Sequence, residues 1–156
     1  MKLKSLVLGT AAALSVASMA IADRGSDGHV NIIYWQAPSI LNPYLSGGTK
    51  DVESSSMIIE PLARYNQDGE LTPWLVTEIP TVANGGVSAD LMSITWNITP
   101  GIKWSDGSAF TAHDVVFSGE YCMDPDGGCA QSNKLADVSN IEALDDLTVK
   151  VSFSVA

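Results

Sequence analysis

Apolar and polar residues alternate most regularly at two places in the chain. Ile94, Trp96 and Ile98 are separated by Thr95 and Asn97, and Val149, Val151 and Phe153 by Lys150 and Ser152. A period of two turns one face of a strand to the core and the other to water, so both stretches predict half-buried strands. The second forms a hairpin with residues 141–144 across Asp145-Asp146. After the first, Pro100-Gly101 fits the central pair of a type II turn, proline fixing one φ and glycine supplying the positive one. Asp106-Gly107 marks another turn. Thr111, with Asp114 three residues on, makes a variant capping box ahead of Val115, Val116 and Phe117. A helix from 112 to about 122 or 123 follows, stopped by Asp124-Pro125-Asp126-Gly127-Gly128.

The upstream pattern is less regular. Residues 29–35, with β-branched Val30, Ile32 and Ile33, predict a first buried strand. Pro38 and Pro43 punctuate the loop that follows, and the two adjacent glycines of Ser46-Gly47-Gly48-Thr49 let backbone approach backbone closely. Residues 51–59 predict a short helix with Val52, Met57 and Ile59 toward the core, although Ser54, Ser55 and Ser56 lower its intrinsic propensity. A strand over 62–65, a turn over 66–69, a loop over 82–90 and a linker or short turn over 135–139 complete the prediction. Trp74, Trp96 and Trp104 carry large apolar areas and are expected mostly in the core, as is Tyr121 on the buried face of its helix.

The N-terminus changes the compartment. Lys2 and Lys4 precede an apolar run from Leu6 to about Val16 and then Ala20-Ile21-Ala22. This order is that of a secretory signal, with cleavage expected after Ala22. The run falls short of the roughly 20 apolar residues that span a bilayer, and with no cysteine near the cut a lipid anchor is not expected. Cleavage removes two lysines and no acid, taking the net charge from −10 to −12. So acidic a chain argues against nucleic acid, where Lys and Arg contacts supply most of the affinity, and against anionic lipid. At 46% hydrophobic and 17% charged, the composition is that of a folded protein. In an exported protein Cys122 and Cys129 are expected to form a disulfide. It closes a small loop across the helix breaker, contributing about 2–3 kcal/mol on a chain-entropy estimate.

The candidate chemistry of an enzyme is thin. No G-x-x-x-x-G-K-[ST] or G-x-G-x-x-G string is present, so no nucleotide cofactor is expected. His29 and His113 do not stand at metal-ligand spacing. His113-Asp114 sits where a helix begins, so Asp114 complements the dipole and His113 faces water. The serines lie in no G-x-S-x-G setting, and Asp68, Glu78 and Asp145 lie mostly in turns. Two alternatives remain open on the residues: a secreted hydrolase, and a self-contained β-rich interaction module.

The ordered string over residues 94–118 carries a resemblance. A Trp-bearing strand is followed by Gly101, Lys103-Trp104-Ser105-Asp106-Gly107, Thr111-Ala112, Asp114-Val115 and Phe117-Ser118. This resembles the signature of the family-5 solute-binding proteins, the oligopeptide- and dipeptide-binding receptors of bacterial ABC importers. Leu41-Asn42-Pro43, Glu60-Pro61-Leu62, Pro73-Trp74-Leu75-Val76 and the ending over 141–153 are also similar to family segments, with Val76 in place of the usual alanine. The resemblance implies a mixed α/β, two-lobed fold of the type II periplasmic binding protein kind, present as the N-terminal part of one lobe and its small subdomain. Residues 1–22 would be the signal, 23–62 the start of the first lobe, and 63–156 the subdomain, incomplete at its C-terminal end. It further implies a monomeric periplasmic receptor without cofactor or catalysis, capturing a peptide or related small solute for an inner-membrane permease. By the same resemblance Ser46, Gly47, Gly48 and Thr49 line the ligand cleft through main chain, with Trp35 and Tyr44 beside them. The signature itself is expected to build the lobe and to touch no ligand.

Overall fold

The computed structural model describes residues 28–156; the signal-like segment and the Ala22 cleavage position lie outside the described residues. The chain divides into two units, residues 1–34 and 35–156. In the first, the strand expected over residues 29–35 does not form, and Val30, Ile32 and Ile33 are exposed. A strand exists only when its backbone pairs with a neighbour, and neither sheet among the described residues includes this stretch.

In the second unit the elements run α1 (Thr49–Ser55), β1 (Ala63–Tyr65), β2 (Leu71–Pro73), β3 (Ser93–Asn97) and α2 (Ala112–Met123), then a 3-10 turn (Ser132–Leu135), β4 (Val138–Asp145) and β5 (Thr148–Phe153). The expected helix over 51–59 is shorter and starts earlier. Its buried residues are Asp51 and Ser55 rather than apolar ones, and Val52 and Met57 are exposed. The Ser55 hydroxyl donates to the Asp51 carbonyl at 2.6 Å, and the Asp51 carboxylate is held by donors in the preceding loop. The expected linker over 135–139 is also displaced, because β4 already begins at Val138 and the 3-10 turn precedes it.

β5 lies between β3 and β4, antiparallel to both. Trp96 faces Val149 in one pairing, and Ala143 faces Val149 in the other. This register stacks the alternating apolar residues on one face, where they meet α2. The core is Ile98, Ala112 and Val149, with Trp96, Val115, Ile141 and Val151 packed around it. Two backbone bonds tie the motif to the hairpin turn: Ile98 donates to the Leu147 carbonyl (2.7 Å) and Ala112 to the Asp146 carbonyl (2.8 Å). Within α2, glycine at 119 leaves room for Ile141, whose Cδ1 a Cβ there would overlap. The helix start follows the capping logic: the Asp114 carboxylate accepts from the Thr111 amide (2.7 Å) and from its hydroxyl (3.2 Å).

The expected turns form where Gly69, Gly101 and Gly107 adopt positive φ, at 80°, 86° and 90°. β1 and β2 make a separate two-stranded ribbon. Trp96 packs against the core as expected, whereas Trp74 and Trp104 depart from that expectation. Trp74 is 40% exposed beneath the Arg64 guanidinium, 3.3 Å from its ring centroid, and Trp104 is 44% exposed with its ring edge-on to Phe110. With so small a sheet-on-helix layer, only residues near its middle are covered on all sides; Trp104 meets it through Phe110, and Trp74 lies against the β1–β2 ribbon.

Candidate functional site

The loop before α1 is organised by one carboxylate. Asp51 is 4% exposed. Its Oδ2 accepts the Ser46 hydroxyl at 2.7 Å, and its Oδ1 accepts the Ser39 amide at 2.6 Å, the Ile40 amide at 3.4 Å and Lys50 Nζ at 2.9 Å. Lys50 also donates to the Ser39 hydroxyl. The Ser46 hydroxyl, then Lys50, then the Ser39 amide hold the Asp51 carboxyl far below the usual carboxylate range. The acid is therefore an anion with its lone pairs occupied. It clamps the loop and has little capacity left for a ligand amine.

What the clamp leaves free is backbone. The Ser46 hydroxyl accepts the Gly48 amide (3.1 Å), while the Gly48 carbonyl accepts from Asp51 and Val52 and so starts α1. The amides of Ser46, Gly47 and Thr49 donate to no other described residue, and Gly47, Gly48 and Thr49 are exposed. Space around Gly47 is open, with nothing within 4 Å of a Cβ placed there. This short run of unpaired donors on an anchored loop can hydrogen-bond an extended main chain or a carboxylate.

Tyr44 stands two residues before Ser46. Its amide donates to Asn42 Oδ1 (2.9 Å), its carbonyl accepts the Ala130 amide (2.7 Å), and its ring meets Tyr121 edge-on at 6.3 Å between centroids. Cys122 and Cys129 are bonded to each other, with Cα atoms 4.9 Å apart. Tyr44 also lines a largely apolar cavity of about 470 Å³ between this loop and the α2–sheet layer, together with Leu62, Trp104, Phe110, Val115 and Cys122. The serine–glycine run is not among its lining residues. Trp35, the other residue expected near the cleft, is 69% exposed. The sequence thus groups Tyr44 with Ser46 to Thr49, and the structure adds Asp51, Ala130 and Tyr121. Asp51 had a local signal in the acid three residues past a helix-starting Gly48, a position that suits the dipole. The Ala130 contact had none, since it spans most of the chain.

His113 is exposed, its Nε2 3.8 Å from Asp146 Oδ1. Asp145 accepts the Leu147 amide (2.8 Å), which holds its carboxyl below the usual range, and Asp106 does the same for Ser108. Both serve turns. Among the described residues no group of three or more His, Cys, Asp or Glu is placed to hold a metal ion. Nor is any helix there long and apolar enough to cross a membrane.

Comparison with known proteins gives a consistent picture. Residues 70–156 match the family described as bacterial extracellular solute-binding proteins, family 5, middle part. The chain is 30% identical over 120 residues to the oligopeptide-binding protein OppA of Bacillus subtilis, covering 72% of this chain and 20% of that protein. It is 29% identical over 111 residues to the periplasmic murein peptide-binding protein MppA of Escherichia coli, covering 70% and 19%. The chain therefore spans about a fifth of the length of these relatives. Among solved structures it superposes on AgaA of A. tumefaciens R10 in complex with agropinic acid. That match has a TM-score of 0.66 and 32% identity, over 75% of this chain and 22% of that one. The mixed helix–strand architecture is that of periplasmic binding proteins, and the chain belongs to the bacterial extracellular solute-binding proteins of family 5.

Proposed function

We propose that this chain is the N-terminal part of an exported substrate-binding component of an ABC importer, which captures peptides and passes them to an inner-membrane permease. In this reading residues 1–22 are removed after Ala22, residues 23–62 begin the first lobe, and residues 63–156 belong to a small β-rich subdomain. The protein works as a monomer in the periplasm and releases its ligand unchanged. The observation that carries the reading is the anchored loop with unpaired amides at Ser46, Gly47 and Thr49. Peptide main chain offers the complementary carbonyls whatever its side chains, and water fills the space that smaller side chains leave. The names of OppA and MppA support a peptide ligand. The agropinic acid bound to AgaA supports a second reading, a small carboxylate-bearing solute held by the same amides.

The test is thermal unfolding of the protein expressed from its complete reading frame, with a panel of short peptides and small opine-like acids. A ligand that binds only the native state at 100 times its Kd stabilises it by about 2.7 kcal/mol. At least one peptide is expected to raise Tm by several degrees. A rise with the acids alone selects the second reading. No shift across the panel, or conversion of the added compound to product, overturns the assignment.

A further inference from the structure

Beyond its amide bond to Asn42, Tyr44 is held at two points, and each is made by the neighbour of a cysteine. Tyr121, whose ring meets the Tyr44 ring, precedes Cys122; Ala130, whose amide binds the Tyr44 carbonyl, follows Cys129. Cys122 lies in the last turn of α2 and is fixed by that helix. Cys129 lies beyond the breaker, where the backbone is organised by short-range bonds, from Asp124 to the Glu120 carbonyl and from Gly127 to the Asp124 carbonyl. The breaker also folds tightly back on the helix end, since a Cβ at Gly127 would lie 2.5 Å from the Tyr121 carbonyl oxygen. The disulfide is thus the covalent tie that sets where Ala130 stands relative to Tyr121. Both half-cystines are buried, at 2% and 7% exposure.

We propose that the Cys122–Cys129 disulfide is a positioning clasp for the ligand loop. It fixes Ala130 and Tyr121 as one unit, that unit fixes Tyr44, and Tyr44 fixes one end of the run over 46–49. Asp51, two residues past the run in α1, closes the loop by gripping Ser39, Ile40 and Ser46. Holding unpaired amides in place before the ligand arrives lowers the ordering cost of binding, so the clasp acts on affinity. A disulfide that acted only on chain entropy would stabilise the whole unit evenly. The inference rests on the reading of the loop as a ligand contact, and its test has one arm that does not.

In the complete protein, amide hydrogen exchange is compared between the oxidised wild type and the double variant Cys122→Ser/Cys129→Ser. The amides of Ala130, Tyr44, Leu45 and Gly48, each hydrogen-bonded in the folded protein, are expected to exchange about tenfold faster in the variant while those of β3 and β5 keep their protection, the pattern of local opening. Affinity for the best ligand of the panel falls by a similar factor. Tyr44→Ala lowers affinity likewise in the oxidised protein and adds little in the double variant, because both changes remove the same link. Equal acceleration in loop and sheet, or loop exchange unchanged within about twofold, overturns the clasp. Should the double variant fail to fold, phosphine reduction of the folded wild type gives the same comparison. If the oxidised wild type binds nothing in the panel, the transport reading falls while the exchange arm still decides the clasp.

Discussion

Asp51 shows how much one side chain can organise. It draws two backbone amides, a hydroxyl and an ammonium group onto its two oxygens, and its companions Ser39, Ile40, Ser46 and Lys50 lie on both sides of the loop's glycines. Its native pKa is depressed below the ordinary 3.8, so the stability it supplies is complete above that value and is lost as pH falls through it toward the native pKa. Asp51→Asn keeps the size and removes the charge. The Tm gap between wild type and Asp51→Asn is therefore expected to be constant from about pH 7 to 5 and to close between about pH 4 and 2. Thermal melts across pH measure it, and because Asp106 and Asp145 titrate in both proteins, they cancel in the difference. A gap that stays constant down to pH 2 would show that the carboxylate charge is not what holds the loop.

At the scale of elements, α2 and β4 meet through a pair that pits helix propensity against packing. Alanine in a helix interior is favoured over glycine by about 0.8–1 kcal/mol, yet a Cβ at Gly119 would overlap Ile141 Cδ1. Forcing an extra methyl into a filled contact costs about 1–3 kcal/mol, so Gly119→Ala is expected to destabilise by roughly 1 kcal/mol. Ile141→Val deletes the atom in the way and alone costs about 0.5–1.5 kcal/mol. In that background Gly119→Ala is expected to become neutral or stabilising, a coupling that a denaturant-based double-mutant cycle reads directly. Additive effects would place the helix–strand contact elsewhere. The same element carries its own stop signal: Pro125 and the glycines end the helix, and the disulfide turns that ending into a support for Tyr44.

For the whole molecule, the small core explains where burial is spent. Ile98, Ala112 and Val149 lie where the Trp-bearing strand, the capped helix and the hairpin converge, and the bonds from Ile98 and Ala112 to the hairpin turn hold the three together. The residues over 94–118 that carry the family resemblance build this junction, as their turn and cap chemistry implied. The loop over residues 46–49 lies outside it, and Tyr44 links that loop to Tyr121 of α2 and to Ala130. Export belongs to this scale too. Intact-mass and N-terminal analysis of the protein from the periplasm is expected to begin at Asp23, with the two lysines of the first segment removed and the net charge at −12; a retained Met1 would overturn the signal reading.

The sequence by itself determined what short-range physics controls. Proline and glycine set the turns at 100–101 and 106–107, Thr111 with Asp114 set the start of α2, and alternation set β3 and β5, because each of these depends on neighbours a few residues away. Only the tertiary structure decided the rest. It withheld the strand over 29–35, since extended backbone is a strand only beside a partner, and it turned Asp51 and Ser55 rather than Val52 and Met57 inward, since the donors that bury Asp51 come from the preceding loop. It left Trp74 and Trp104 half-exposed, an outcome that no local pattern could locate. It also joined Tyr44 to Ala130, a bond between residues far apart in the chain that no local pattern specifies.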